Sequence, residues 1–289
     1  MLLKDFIKQT CESLEAVYPA QEARSIVSLY CNEVFGVQSY THILEPGATV
    51  PEACLERALS DSRLLAKGCP VQQVIGYARF RDRKFRVTPD VLIPRPETEM
   101  LVQLALDNLP RKAKVLDLCT GSGCIAWSVC LEAPDSEVTA VDLNAEALEV
   151  ARSQFEGNGP RFIQADILQD RWWEAAGGIS GDAGSFDLLI SNPPYIMESE
   201  KKAMRRNVLD YEPEMALFVP DSDPLLFYRA IADAAASLLK HDATGLVEIN
   251  ESLGKESSEV FCSRGFRDVE IVEDLFGKQR FIKFSCHNN

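Results

Sequence analysis

Lys114-Val115-Leu116-Asp117-Leu118-Cys119-Thr120-Gly121-Ser122-Gly123-Cys124-Ile125-Ala126 is the stretch from which the fold can be read. Its first five residues are apolar apart from Lys114 and Asp117, the pattern of a strand buried on both faces. Gly121 and Gly123 then permit positive φ and close approach of a ligand to the backbone. The apolar residues after them open a helix whose first N–H groups lack intrahelical partners. Strand, glycine turn and helix in that order begin a parallel α/β sheet with a ligand at the turn.

The G-x-G-x-x-A spacing alone does not choose among nicotinamide, flavin and S-adenosylmethionine (AdoMet) folds. Acids at successive strand ends narrow the choice. Asp117, just ahead of the glycines, is badly placed for a pyrophosphate and well placed, directly or through water, for a cationic amino-acid end. About twenty residues past the loop, Glu137-Val138-Thr139-Ala140-Val141-Asp142 closes a second strand on an acid of the kind that binds ribose hydroxyls. A third strand, Arg161-Phe162-Ile163-Gln164-Ala165, ends in Asp166, which either accepts from an adenine amino group or caps the following turn.

Downstream, Phe186-Asp187-Leu188-Leu189-Ile190-Ser191 runs into Asn192-Pro193-Pro194-Tyr195. Consecutive prolines fix φ and remove backbone donors, so the carbonyls of Asn192 and Pro193 are left to accept from a ligand. The Asn192 amide adds one acceptor and two donors. Such a set suits a planar NH2 group beside a carbonyl or ring nitrogen. Two acceptors hold its hydrogens, its lone pair points at an electrophile, and Tyr195 supplies a flat wall. Pro-Pro by itself would only end a strand; the flanking asparagine and tyrosine, with the glycine loop upstream, give it chemistry.

The chain has 289 residues, 46% of them hydrophobic, enough for one full core and a second domain. Its net charge of -14 argues against a large nucleic-acid surface and so against a stable nucleic-acid partner. Nine cysteines without a C-x-x-C pair, and His42, His241 and His287 scattered apart, support neither a metal site nor a redox motif and suit a reducing cytosol. No apolar run is long enough to span a membrane. Helical spacing of Leu2, Phe6, Leu14, Val27, Tyr30, Leu55 and Leu59 predicts a small bundle with Cys11, Cys31 and Cys54 as filler. Tyr77 to Val87 alternates as a hairpin whose arginines face solvent or an acidic partner. Leu92 to Glu99 stiffens the approach to the glycine loop as a rim or a linker. Arg171 to Ser185, with Gly177, Gly178, Gly181 and Gly184, reads as a flexible surface insertion. Met197 to Asp223, with Lys201, Lys202, Arg205 and Arg206, is a candidate substrate lid. The sheet is expected to finish with an antiparallel pair bracketing Gly277.

Taken together, these motifs resemble the HemK/PrmC-type protein-glutamine methyltransferases. The resemblance is carried by Gln73-Val74-Ile75-Gly76 with Phe80, Phe85 and Val87, by Leu92 to Glu99, by Leu116 to Ala126, by Ser191 to Tyr195, and by Tyr211-Glu212-Pro213 with Ala216-Leu217. It covers nearly the whole chain. Pro94-Arg95-Pro96-Glu97-Thr98-Glu99 is its most specific part, because enzymes that methylate amino groups of DNA and RNA share Asn-Pro-Pro-Tyr.

The resemblance implies an α/β, class I (Rossmann-like) methyltransferase domain with a seven-stranded sheet over residues 93–289. A helical bundle at 1–72 would bind a partner, and a hairpin linker would occupy 73–92. It implies AdoMet as cofactor, released as S-adenosyl-L-homocysteine and held by Asp117, Cys119, Thr120, Gly121, Ser122, Gly123, Asp142, Asp166, Ile167 and Asn192. It implies catalysis by Asn192, Pro193 and Tyr195, which with Pro194 would also bind substrate, and no metal. The implied reaction is N5-methylation of the glutamine in the Gly-Gly-Gln loop of class I peptide-chain release factors, in the cytoplasm. A ribosomal-protein glutamine or a nucleic-acid amino group is the alternative acceptor. One departure is visible: the family often has glycine where this chain has Cys119.

Overall fold

The computed structural model describes residues 1–177, 179 and 184–286. By contacts the chain divides into two units, Met1–Tyr77 with Arg205–Tyr211, and Ala78–Met204 with the chain from Glu212 onward. In the first unit Leu3, Phe6 and Leu14 of the helix Leu3–Leu14 pack with Val27 and Tyr30 of Ala20–Phe35 and with Ala58 and Leu65 of Leu55–Ala66. Cys31 is buried in this core. The Tyr30 hydroxyl donates to Asp61 at 2.7 Å and the Tyr18 hydroxyl to the Gly68 carbonyl at 3.3 Å, so both large polar tips in this interior are satisfied.

The unit also takes in a segment far away in sequence. The Gln73 amide donates to the Tyr211 carbonyl at 2.8 Å, the Tyr211 hydroxyl donates to the Lys67 carbonyl at 3.2 Å, and Arg205 pairs with Glu22. Part of the stretch expected to be a lid is therefore tied to the bundle. Two of its other cations are also engaged, Arg206 with Asp210 at 3.1 Å and Lys201 with Glu214 at 3.7 Å.

The second unit is built on a seven-stranded sheet. Its strands, numbered along the chain, are β1 (Lys114–Leu118), β2 (Glu137–Asp142), β3 (Arg161–Gln164), β4 (Phe186–Ser191), β5 (Leu239–Glu248), β6 (Arg267–Glu273) and β7 (Gln279–Ser285). They lie in the order β6-β7-β5-β4-β1-β2-β3, with β7 antiparallel to its neighbours and the rest parallel. The order reverses between β1 and β4, which lie side by side at the centre, and a crevice opens beyond the carboxyl ends of strands at such a switch point. Val115, Leu116 and Leu118 are fully buried, as the apolar run of β1 requires. The helices Pro96–Asn108 and Cys124–Glu132 cover one face of the sheet with Leu101, Val102, Ile125 and Val129. The helix Leu226–Leu238 covers the other with Tyr228, Ile231 and Ala235.

Three regions differ from the sequence reading. Residues 78–86 of the hairpin belong to the second unit, because Phe80 and Phe85 are buried in the same core as Leu101 and Ile125. Of the hairpin arginines, Arg81 and Arg83 both bind Glu132, at 2.5 and 2.7 Å, while Arg79 and Arg86 are exposed as the alternation predicts. The start of the glycine-rich insertion is anchored: Trp172 and Ala176 ahead of its glycines, and Ile179 after Gly177, are buried in the main core, where they have a hydrophobic surface to cover. Gly178, Gly181 and His287 lie outside the described residues. Among the described residues no helix is long and apolar enough to cross a membrane, and no His, Cys, Asp and Glu cluster could hold a metal ion.

Candidate functional site

At the carboxyl ends of β1, β2 and β4 lies a cavity of about 1090 Å³ including its mouth, the size class of a site for a nucleoside-sized ligand. The loop after β1 forms its floor. The Thr120 N–H donates to the Val141 carbonyl at 3.0 Å, and the Gly121 N–H donates to Asp142 Oδ2 at 2.8 Å. Gly121 and Gly123 adopt φ of 53° and 78°. At Gly123 a side chain is excluded twice over, because a Cβ there would stand 2.9 Å from that of Ala151.

Cys119 also has a positive φ, 60°. The loop thus keeps the backbone that glycine would favour and imposes it on a cysteine, at a cost of roughly 1–2 kcal/mol. Replacing Cys119 by glycine is expected to raise stability by about 0.5–1 kcal/mol, the left-handed strain relieved less the extra chain entropy. Cys119→Val should instead lose more than about 1 kcal/mol. Urea unfolding of the three proteins checks both, and equal stabilities would mean the position is unstrained.

The structure brings Cys119, Thr120, Gly121, Ser122, Asp142, Asp166, Ile167, Asn192 and Pro194 to the wall of this one cavity. It does not bring Asp117, Gly123, Pro193 or Tyr195 to the wall. Asp117 is fully buried behind the loop, where Thr120 Oγ1 donates to its Oδ2 at 2.6 Å and no hydrogen bond of good geometry reaches Oδ1. Burial pushes its carboxyl up to about 7, against the Thr120 hydroxyl and the Ala126 N–H, which favour the charge. Burial also raises the Asp142 carboxyl, opposed by the N–H groups of Asn144, Gly121 and Leu143. Asp142 Oδ1 accepts from the Asn144 N–H at 2.9 Å, so this acid stitches the loop as well as facing the cavity. Asp166 lines the cavity, and its Oδ1 accepts from the Leu168 N–H at 3.0 Å, as a residue capping the following turn would.

Tyr195 departs furthest from the expected flat wall. Its hydroxyl donates to Glu248 Oε1 at 2.9 Å, and its carbonyl accepts from the Asn250 amide at 3.1 Å. Burial raises its pKa well above the ordinary value, with the Glu248 charge adding to the shift, so it remains a donor. Asn192 faces the cavity while its Nδ2 donates to Thr98 Oγ1 at 3.1 Å.

The rim comes from the segment read as rim or linker. Leu92, Pro94, Arg95 and Thr98 line the cavity. Buried Glu212 fixes them by accepting from the Arg95 guanidinium at 2.6 Å and from the Ile93 N–H at 3.0 Å. Leu143, Leu168 and Met215 complete the wall although 48%, 40% and 50% exposed. Sequence reasoning gave no role to Thr98, Glu248 or these apolar side chains. For Glu248 a signal existed, an acid closing an otherwise apolar strand.

Comparison with known proteins agrees with this architecture. Residues 96–211 match the family model described as methyltransferase small domain. A release factor glutamine methyltransferase of Bacteroides thetaiotaomicron is 41% identical over 274 residues, 94% of this chain and 95% of that one. One from Flavobacterium psychrophilum is 33% identical over 290 residues, 98% and 99% of the two chains. The crystal structure of a Pyrococcus furiosus methyltransferase, 16% identical, superposes with a TM-score of 0.53 over 82% of this chain and 100% of that one, a likeness of fold.

Proposed function

We infer that this chain, which belongs to the release factor glutamine methyltransferase family, methylates the side-chain nitrogen of the glutamine in the Gly-Gly-Gln loop of class I peptide-chain release factors, with AdoMet as donor. The observation that carries the reading is the convergence of the glycine loop, Asp142, Asp166 and Asn192 on one cavity.

The residues fit AdoMet on three counts. Asp117 lies behind the loop and not on the cavity wall, and its buried Oδ1, without a good partner, would attract through space a cationic amino group seated on that loop. Asp142 retains lone pairs for ribose hydroxyls after serving Gly121 and Asn144. Leu143, Leu168 and Met215 are exposed apolar side chains gathered on one wall, and a purine among them would take that surface out of water. When bound, AdoMet supplies a methyl group made electrophilic by its sulfonium and is released as S-adenosyl-L-homocysteine.

The protein's task is then to position the acceptor and exclude water. A carboxamide nitrogen is a weak nucleophile because its lone pair is delocalised into the carbonyl. Asn192 Oδ1 and the Pro193 carbonyl, accepting its two hydrogens, bind more strongly as positive charge grows on that nitrogen, which favours the transition state over the ground state. The surplus proton of that nitrogen then leaves to water, and the amide is neutral again. Tyr195, tied at its hydroxyl and its carbonyl, is a fixed side of this mouth. Nine free cysteines suit the cytoplasm, where such a substrate would be met.

Intact-mass analysis of a purified class I release factor, incubated with this protein and AdoMet, tests the reading. One methyl group is expected on the native factor and none when the loop glutamine is replaced. No methyl on either, with AdoMet bound, would overturn the assigned substrate.

A further inference from the structure

A buried chain of hydrogen bonds runs from the cavity wall into the sheet. Asn192 Nδ2 donates to Thr98 Oγ1 at 3.1 Å, Thr98 Oγ1 donates to Glu248 Oε2 at 2.8 Å, and the Tyr195 hydroxyl donates to Glu248 Oε1 at 2.9 Å. Thr98 and Glu248 are 2% and 1% exposed, so water does not substitute for either of them. The direction of the chain is set by proton counting. An ionised carboxylate only accepts, and each hydroxyl has a single hydrogen. With its hydrogen committed to Glu248, Thr98 can meet Asn192 only through a lone pair. The amide must therefore turn NH2 toward Thr98 and carbonyl oxygen away from it. The reverse orientation would set two oxygens against each other with no hydrogen between them.

Burial raises the Glu248 carboxyl above its ordinary value, opposed by the Thr98 and Tyr195 hydroxyls and the Arg280 guanidinium, which favour its charge, and reinforced by the Glu97 charge. Neither Thr98 nor Glu248 has a hydrogen left to offer a substrate. Their remaining effect is on the orientation of Asn192.

We propose that Thr98 and Glu248 are positioning residues that hold the Asn192 amide in one orientation, so that its Oδ1 is presented to the nitrogen being methylated. The proposal rests on the reading of the cavity as an amide-methylating site. It gives the threonine of Pro94-Arg95-Pro96-Glu97-Thr98-Glu99 and the acid at the end of β5 a shared role across 150 residues of sequence. A side-chain amide free to flip would present a donor to the substrate NH2 for part of the time and lose the acceptor. Fixing the flip therefore acts on turnover more than on binding.

The test uses the full chain and three variants. Thr98→Val keeps the shape and removes the hydroxyl, Thr98→Ser restores it, and Glu248→Gln replaces one of the two acceptor oxygens by an NH2 donor. Side-chain amide ¹⁵N–¹H resonances of Asn192, read on the protein alone, test the orientation without any substrate. They are expected to shift in Thr98→Val and Glu248→Gln and to stay close to wild type in Thr98→Ser. In methylation of a purified class I release factor, kcat should fall on the order of a hundredfold in Thr98→Val, with KM and AdoMet Kd within about threefold, and Thr98→Ser should recover most of it. Unmoved Asn192 resonances in Thr98→Val overturn the proposal, and so does a Thr98→Ser variant as slow as Thr98→Val. If the resonances move as expected but wild type leaves the release factor unmethylated, the assigned substrate falls and the positioning role stands.

Discussion

Asp117→Asn is expected to stabilise the ligand-free protein at pH 8 and, in the same molecule, to weaken AdoMet binding roughly tenfold, by removing a negative charge behind the loop on which the cationic amino-acid end would sit. The stability effect follows from burial. The Asp117 carboxyl has an ordinary value of 3.8 and is pushed up to about 7 in the folded protein, so the folded state holds the proton more tightly than the unfolded one. Below the ordinary value both states are protonated and the shift contributes nothing. As pH rises from about 4 to about 7 the folded protein progressively loses stability, and above 7 the full cost of a buried carboxylate is present. Asparagine removes that cost, and a gain of about 1–3 kcal/mol at pH 8 is expected in urea unfolding, shrinking steadily toward pH 4. Wild-type affinity for AdoMet should also fall below pH 7, because a cationic group binds only the ionised carboxylate. Unchanged affinity in Asp117→Asn would remove this acid from the cofactor site. Unchanged stability would mean that the carboxylate is already compensated in the free protein.

This opposition of stability and binding marks what the sequence could and could not disclose. Strand, loop and helix from Lys114 to Ala126 were legible because both periodicities are local and the glycines sit where the chain needs positive φ. The acids at Asp117, Asp142 and Asp166 were legible as strand ends, yet their division of labour was not. Which one faces the cavity, which lies behind the loop and which also stitches a turn depends on hydrogen bonds to Thr120, Gly121, Asn144 and Leu168. Cys119 shows the same limit: its identity was visible as a departure, but only the fold reveals that the backbone did not change to suit it. Tyr195 was read as a free wall because its partner, Glu248, is 53 residues away. The anchored start of the insertion after Arg171 was missed for an opposite reason, since the glycines were weighed and Trp172 ahead of them and Ile179 among them were not. Composition signals flexibility there, while two large apolar side chains with a core within reach decide the outcome.

Asn192→Ala carries the largest kinetic effect expected here. Truncation removes the acceptor presented to the substrate nitrogen and also leaves Thr98 Oγ1 without its donor, yet it touches neither the glycine loop nor Asp117 and Asp142. The loss should therefore fall on kcat, by about 10²–10³ as for deletion of one preorganised electrostatic group, with AdoMet Kd within about threefold. Asn192→Asp separates two explanations of that loss. A carboxylate keeps an acceptor toward the cavity but has no hydrogen for Thr98, whose own hydrogen would then be contested between two carboxylates. If an acceptor were all the reaction needed, this variant would approach wild-type turnover. If the acceptor must also be held in one direction, it should stay at least tenfold slow while binding AdoMet normally. Parallel losses of kcat and cofactor affinity in Asn192→Ala would place Asn192 in the cofactor site and take away its part in methyl transfer.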